Sequence, residues 1–174
     1  MPQFTQSTTK GKKANQYDYW LVDGRKNWSC VKGRVAKELN VPDATPIRLH
    51  VGKIQTFGAE HVYHPKRRIA IDNILKKAPD TSQRFQNILL SKTQAPEYVW
   101  LKLQQSGTCY STEDDDKTQL VLQRAPSGWM FMSVNRRNPD DIYLSIITLY
   151  PKQSSKIEGT DIGRYLSSWV HEVL

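Results

Sequence analysis

The chain has 174 residues, 38% of them hydrophobic, with 5 Trp, 8 Tyr and 4 Phe and a formal net charge of +8. That is enough material for one domain with its own core, and too many aromatic residues for a disordered segment. No apolar run approaches the roughly 20 residues of a membrane-spanning helix, and the start, MPQFTQSTTKGKK, has no apolar stretch of the kind a secretory signal requires. Cys30 and Cys109 are the only cysteines, which excludes a disulfide framework or a cysteine-rich zinc site and suits a reducing, cytoplasmic setting; delivery by a route that reads no signal peptide stays open.

In chain order, residues 1 to about 15 are rich in Gln, Thr, Ser and Lys without periodicity and are expected to form a mobile basic tail. DYWLVD, 18–23, suits a short strand closed by Gly24, and Trp28, Val31, Val35, Ala36 and Leu39 recur at helical spacing behind Asn27. The alternation of Ile47, Leu49 and Val51 predicts a strand over 47–54, followed by a turn at 57–61 that opens a second helical segment. That segment is interrupted at Pro65; continued helix or a bend is expected up to the turn at 78–80, and helix over Ser82–Leu90 and Pro96–Leu103. TCYSTED, KTQLVLQRA, GWMFMSVNR and IYLSIITLYP then read as four strands separated by turn compositions, an antiparallel meander. Ile162, Tyr165, Leu166 and Trp169 predict a short amphipathic helix over 161–174.

The expected fold class is therefore α+β, with N-terminal helices packed on one face of a C-terminal four-stranded antiparallel sheet. Residues 1–45 form a basic tail plus a small strand–helix extension, and 46–174 form the main domain with its short C-terminal helix.

Charge is uneven along this plan. Residues 1–78 carry 15 basic against 6 acidic side chains, and residues 79–174 carry 10 against 11. A basic half ahead of a near-neutral half points to an anionic partner such as RNA or acidic phospholipid, with a merely basic solvated surface as the plainer explanation.

The densest reactive stretch is GAEHVYHPKRR, 58–68, with His61, His64, Lys66, Arg67 and Arg68. On a helix His61 and His64 share a side. Imidazoles can move protons near neutral pH and the cations can hold phosphate, the requirements of metal-independent RNA cleavage. The alternatives are a solvated basic helix end or half of a metal site, and the missing third ligand disfavours metal. On the last strand of the meander Thr148 and Tyr150 share a face, which is either good β-propensity or a pair of substrate-orienting hydroxyls. Arg124 ends an earlier strand and could reach a phosphate. Ser111-Thr112-Glu113 outlines an ADP-ribosyltransferase only faintly, because the carboxylates beyond it look like a hairpin turn, and phosphate-loop, serine-hydrolase and zinc-protease motifs are missing.

The order of these parts resembles the barnase/EndoU/colicin/RelE-like (BECR) RNase superfamily, in its phage- and toxin-associated branches. The matching stretches are Gly58-Ala59-Glu60-His61, the helix Pro96–Leu103, QLVLQR, GWMFMSVNR and IITLYP, spanning roughly residues 50–152. The resemblance implies a toxin- or effector-type endoribonuclease that needs no metal or cofactor and cuts mRNA, tRNA or rRNA by 2′-OH attack to leave a 2′,3′-cyclic phosphate. By the same resemblance His61 matches the helix histidine, Lys66 or Arg67 the basic residue after it, and Thr148 and Tyr150 the hydroxyls of the terminal strand, while His64 is a second acid–base candidate. Arg67, Arg68 and Arg124 are the expected phosphate binders. An acidic immunity or antitoxin protein is the expected protein partner, and no membrane is involved. The competing readings are a non-catalytic RNA- or ribosome-binding protein of phage or mobile-element origin, and a protein-binding module using the aromatic residues of the first 45.

Overall fold

Two-residue alternation along the central strands decides which side chains are buried in the core and which face away from it. The computed structural model of the chain describes residues 2–8, 11–53, 56–62, 95–113, 119–125, 128–150 and 159–172, the side chains of residues 61, 113, 119–125 and 150 excepted. The strands are β1 (Phe4–Gln6), β2 (Tyr19–Val22), β3 (Ser29–Val31), β4 (Thr45–His50), β5 (Gly107–Glu113), β6 (Gln119–Ala125), β7 (Gly128–Asn135), β8 (Tyr143–Tyr150) and β9 (Thr160–Tyr165). Three helices, α1 (Gly33–Glu38), α2 (Gly58–Val62) and α3 (Ala95–Leu103), and a 3-10 turn at Ser167–His171 complete the described elements.

The strands form one sheet in the order β1-β2-β4-β8-β7-β6-β5-β9, with β3 on β4 beside β2. The fold expectation is corrected here: β-structure runs from residue 4 onward, nine described strands replace four, and the helices are interspersed rather than grouped at the N-terminus. β5 to β8 do pair in succession as an antiparallel meander. Its far side, however, is continued by β4, which lies parallel to β8 with Ile47 opposite Leu144 and Arg48 opposite Ser145. The stretches before residue 46 belong to the same sheet, since β1 pairs β2, and β2 and β3 pair successive parts of β4.

Two further local expectations are revised. Helical spacing from Trp28 onward yields only the short α1, because Ser29–Val31 pairs with Thr45–Ile47 and Trp28 N–H donates to the Ile47 carbonyl at 2.9 Å. The C-terminal helix is instead β9 followed by the 3-10 turn. Cys109 faces Gly163 while Tyr110 faces Asp161, which leaves Ile162 as an extra residue in β9. This bulge turns two-residue spacing into three-residue spacing, so that Ile162 and Tyr165 are both buried and mimic a helical stripe.

Ile47, Leu49, Met132, Leu144 and Ile146 join Trp28, Val35, Leu39, Tyr98, Val99, Leu103 and Tyr165 in one core that takes residues from all three helices. Trp28 anchors it, fully buried, stacked on Phe4 at 5.6 Å, edge-on to Trp100, and donating its indole N–H to the Trp20 carbonyl at 2.8 Å. Among the described residues no helix is long and apolar enough to cross a membrane. The helical expectations between Pro65 and Leu90 lie outside the described residues.

Candidate functional site

The strand positions that alternate with the core positions bring a set of polar and aromatic residues together. On β4 these are Arg48 and His50, between and beyond the core residues Ile47 and Leu49. Register then places Tyr19 of β2 opposite His50, Ser145 of β8 beside Arg48, Tyr143 opposite Asn135 of β7, and Ser133 opposite Ser145. All of these but Arg48, together with Tyr17, Thr56, Phe57, Arg137, Asn138, Asp141 and Ile147, bound a cleft of about 540 Å3.

The cleft floor is a chain of hydrogen bonds. His50 Nδ1 lies 3.0 Å from the Tyr17 carbonyl, which can only accept, so Nδ1 carries the hydrogen of the neutral ring. Its Nε2 then accepts from the Tyr143 hydroxyl at 2.9 Å. Asn135 Nδ2 donates to the same hydroxyl oxygen at 3.0 Å, oriented by the backbone N–H of Arg137, which donates to Asn135 Oδ1 at 3.2 Å. Tyr19 stacks on the imidazole with ring centres 4.5 Å apart, and Phe57 meets it edge-on at 5.7 Å. Burial lowers the imidazole pKa from its ordinary value, the Tyr17 carbonyl opposes this, and the nearby Arg48 lowers it further. Burial likewise raises the Tyr143 hydroxyl, which stays protonated.

Arg48 supports the floor from beside His50. It is 3% exposed, binds both carboxylate oxygens of Asp141 at 2.9 and 2.7 Å, donates Nε–H to Asn27 Oδ1 at 2.7 Å, and lies over the Tyr143 ring at 4.5 Å. Its hydrogen bonds hold the Asp141 carboxyl below the usual range.

The Asn15–Asp18 turn and the 51–58 loop close one end of the cleft. Val51 and Gly52 donate to the carbonyls of Asp18 and Gln16 at 2.7 and 2.8 Å, and Lys53 N–H donates to the Phe57 carbonyl at 3.0 Å. Gly52, at φ +78°, has no room for a side chain: a Cβ there would sit 1.9 Å from the Phe57 carbonyl oxygen. Asp18 Oδ2 and Asn15 Oδ1 accept backbone N–H groups within the turn, which fixes the Tyr17 carbonyl that holds His50.

Of the residues expected to carry function, His64, Lys66, Arg67 and Arg68 lie outside the described residues. His61 is on α2, directly after the loop that carries Phe57, and Arg124 is on β6 opposite Trp129. Thr148 and Tyr150 are on β8, in the interior of the sheet; Thr148 is buried opposite Phe131 and does not line the cleft. The cleft residues His50, Tyr143 and Asn135, and Arg48 beside them, were not anticipated. For Arg48 and His50 the signal was present in the polar half of the IRLH alternation, where a cation and an imidazole occupy the positions between the apolar ones.

Elsewhere, burial pushes the thiols of Cys30 and Cys109 up to about 11 and about 12, so neither is a ready nucleophile. Lys102 on α3 is buried too, and burial brings its ammonium down to about 7. Among the described residues no three His, Cys, Asp or Glu side chains gather to hold a metal ion. No family model, curated protein or solved structure matches the chain.

Proposed function

We propose that the protein binds single-stranded RNA in the cleft walled by Tyr17, Tyr19, Phe57 and Tyr143. The observation that supports this is the composition of that concave wall: four aromatic rings interspersed with Asn135, Asn138, Ser133 and Ser145, with the exposed Arg137 among them. Aromatic faces stack bases at about 1–3 kcal/mol each, amides and hydroxyls hydrogen-bond base edges, and the basic first half of the chain adds attraction to phosphate. Fluorescence anisotropy with a labelled single-stranded RNA tests it. Affinity should fall log-linearly with salt and drop by roughly fivefold or more in Tyr17→Ala and Phe57→Ala. No binding, or binding untouched by both substitutions, overturns the reading.

Cleavage of the bound RNA is the second reading, favoured by the presence of an imidazole and a phenol, hydrogen-bonded to each other, in the same wall. In this reading the protein is a cytoplasmic-acting endoribonuclease that leaves a 2′,3′-cyclic phosphate, and an acidic immunity or antitoxin partner restrains it. Total RNA incubated with the protein in EDTA decides between binding and cleavage. Loss of cleavage in a His61→Ala, His64→Ala double variant assigns proton transfer to the histidine turn, and loss in His50→Gln assigns it to the cleft. Intact RNA with wild-type protein removes cleavage and leaves binding.

A further inference from the structure

The partners of the His50–Tyr143 pair leave one way for it to take up a proton. With Nδ1–H committed to the Tyr17 carbonyl, an added proton goes to Nε2. Nε2–H then donates to the Tyr143 oxygen, and the hydroxyl hydrogen that pointed at His50 must turn away. Asn135 already donates to that oxygen from the β7 side, and Tyr143 and its further hydrogen-bond partner Tyr19 both line the cleft, so the hydroxyl turns toward Tyr19 and the cleft. Protonation thus costs no hydrogen bond and changes what the wall offers, from a hydroxyl committed to His50 to one that a ligand seated beside Tyr19 and Tyr143 can accept from.

It also changes the local charge. The groups packed around His50 are Tyr19 from β2, Arg48 from β4, Tyr143 from β8 and Phe57 from the loop, with backbone from Tyr17 and Asp18. Arg48 is paired with Asp141 from the β7–β8 turn, and Arg137 adds a positive charge to the cleft wall. Asp141 is committed to Arg48, and Asp18 meets the imidazole through its backbone while its Oδ2 accepts the Asn15 N–H, so the ligand that gains from protonation is an anion. We propose that the cleft is a proton-linked phosphate site: an RNA phosphodiester seated against Tyr143 is taken up together with one solvent proton on His50, the Tyr143 hydroxyl turning from the imidazole to a phosphate oxygen. Linkage makes the effect reciprocal, since bound phosphate raises the proton affinity of His50 as much as the proton raises that of phosphate.

This inference rests on the RNA reading, and one calorimetric experiment separates the two. The full chain is titrated with a short single-stranded RNA at fixed ionic strength, at about pH 6 and about pH 8, in two buffers of different ionisation enthalpy. The expected result is uptake of up to one proton per site and an affinity that rises by up to about tenfold per pH unit on acidification. Both effects disappear in His50→Gln and Tyr143→Phe, checked for folding by circular dichroism. An NMR titration of the His50 ring in wild-type protein, with and without RNA, gives the same answer independently of any variant. An unphosphorylated nucleoside should cause no proton uptake, and uptake with it overturns the assignment to phosphate. RNA binding without proton uptake, or with uptake that survives His50→Gln, overturns the proton linkage and leaves the RNA reading standing. Absence of RNA binding at either pH overturns both.

Discussion

The fold favours the neutral form of His50. Burial holds its folded pKa below the ordinary value of 6.5, so the unfolded chain binds the proton more readily than the folded one. The stabilisation is therefore complete above about pH 6.5 and is lost as pH falls from there to the lowered folded value, below which the loss saturates. Asp141 acts in the same sense but in another window: its folded pKa lies below 3.8, so its contribution is complete above that value and is lost only as pH falls below it. Urea denaturation at about pH 7.5 and about pH 5 should show a lower midpoint for wild type at the lower pH, and a smaller difference for His50→Gln. Equal differences in both proteins would assign the loss to other groups. At this scale the sequence was partly legible. Arg48 and His50 stand out once IRLH is read as a strand with two faces, whereas Tyr143 and Asn135 become partners only through β7–β8 register, and a single strand carries no record of its register.

Among the elements, the described ends of the connection between β4 and α2 pass each other at close quarters. The backbone of Gly52 and that of Phe57 and Gly58 pass so closely that a Cβ on Gly58 would lie 2.6 Å from the His50 carbonyl oxygen, and both glycines have φ of +78°. Gly52→Ala meets backbone atoms that cannot step aside, so it should cost more than about 1 kcal/mol and displace Phe57 from the imidazole. Thermal denaturation measures the first effect, and an NMR titration of the His50 ring responds to the second. A variant as stable as wild type would show that the loop can relax. Gly58 opening α2 was foreseeable as the turn before a helix. The steric need at Gly52 was not, because it arises from a chain crossing rather than from local propensity. The bulge at Ile162 hid β9 for a similar reason, since one extra residue gave a strand the spacing of a helix.

For the whole molecule, the meander was legible because each of its strands pairs with its sequence neighbour across a turn composition. The remainder depends on β4, which receives β2 and β3 on one edge and β8 on the other. Nothing in the composition of either strand announces that 45–50 will lie parallel to 143–150, and the cleft straddles this junction, with His50 on one strand and Tyr143 on the other. Hence the meander could be read from the sequence, whereas the site, which needs β4 beside β8, could not.

The β4–β8 junction also sets an order of events during folding. Joining Ile47 to Leu144 closes most of the chain into a single loop, a pairing with a high entropic cost that contributes to slow folding. The β5–β8 meander, made of sequence neighbours, can form ahead of it. In stopped-flow refolding, hydrogen-exchange protection in β6 and β7 is expected to precede that of β4, and RNA-binding competence should appear only with the slower phase. Competence arriving with the first phase would exclude this order. During synthesis, the N-terminal half of the cleft leaves the ribosome long before its C-terminal half has been translated, so the emerging chain has no complete cleft until β8 has followed β4 out.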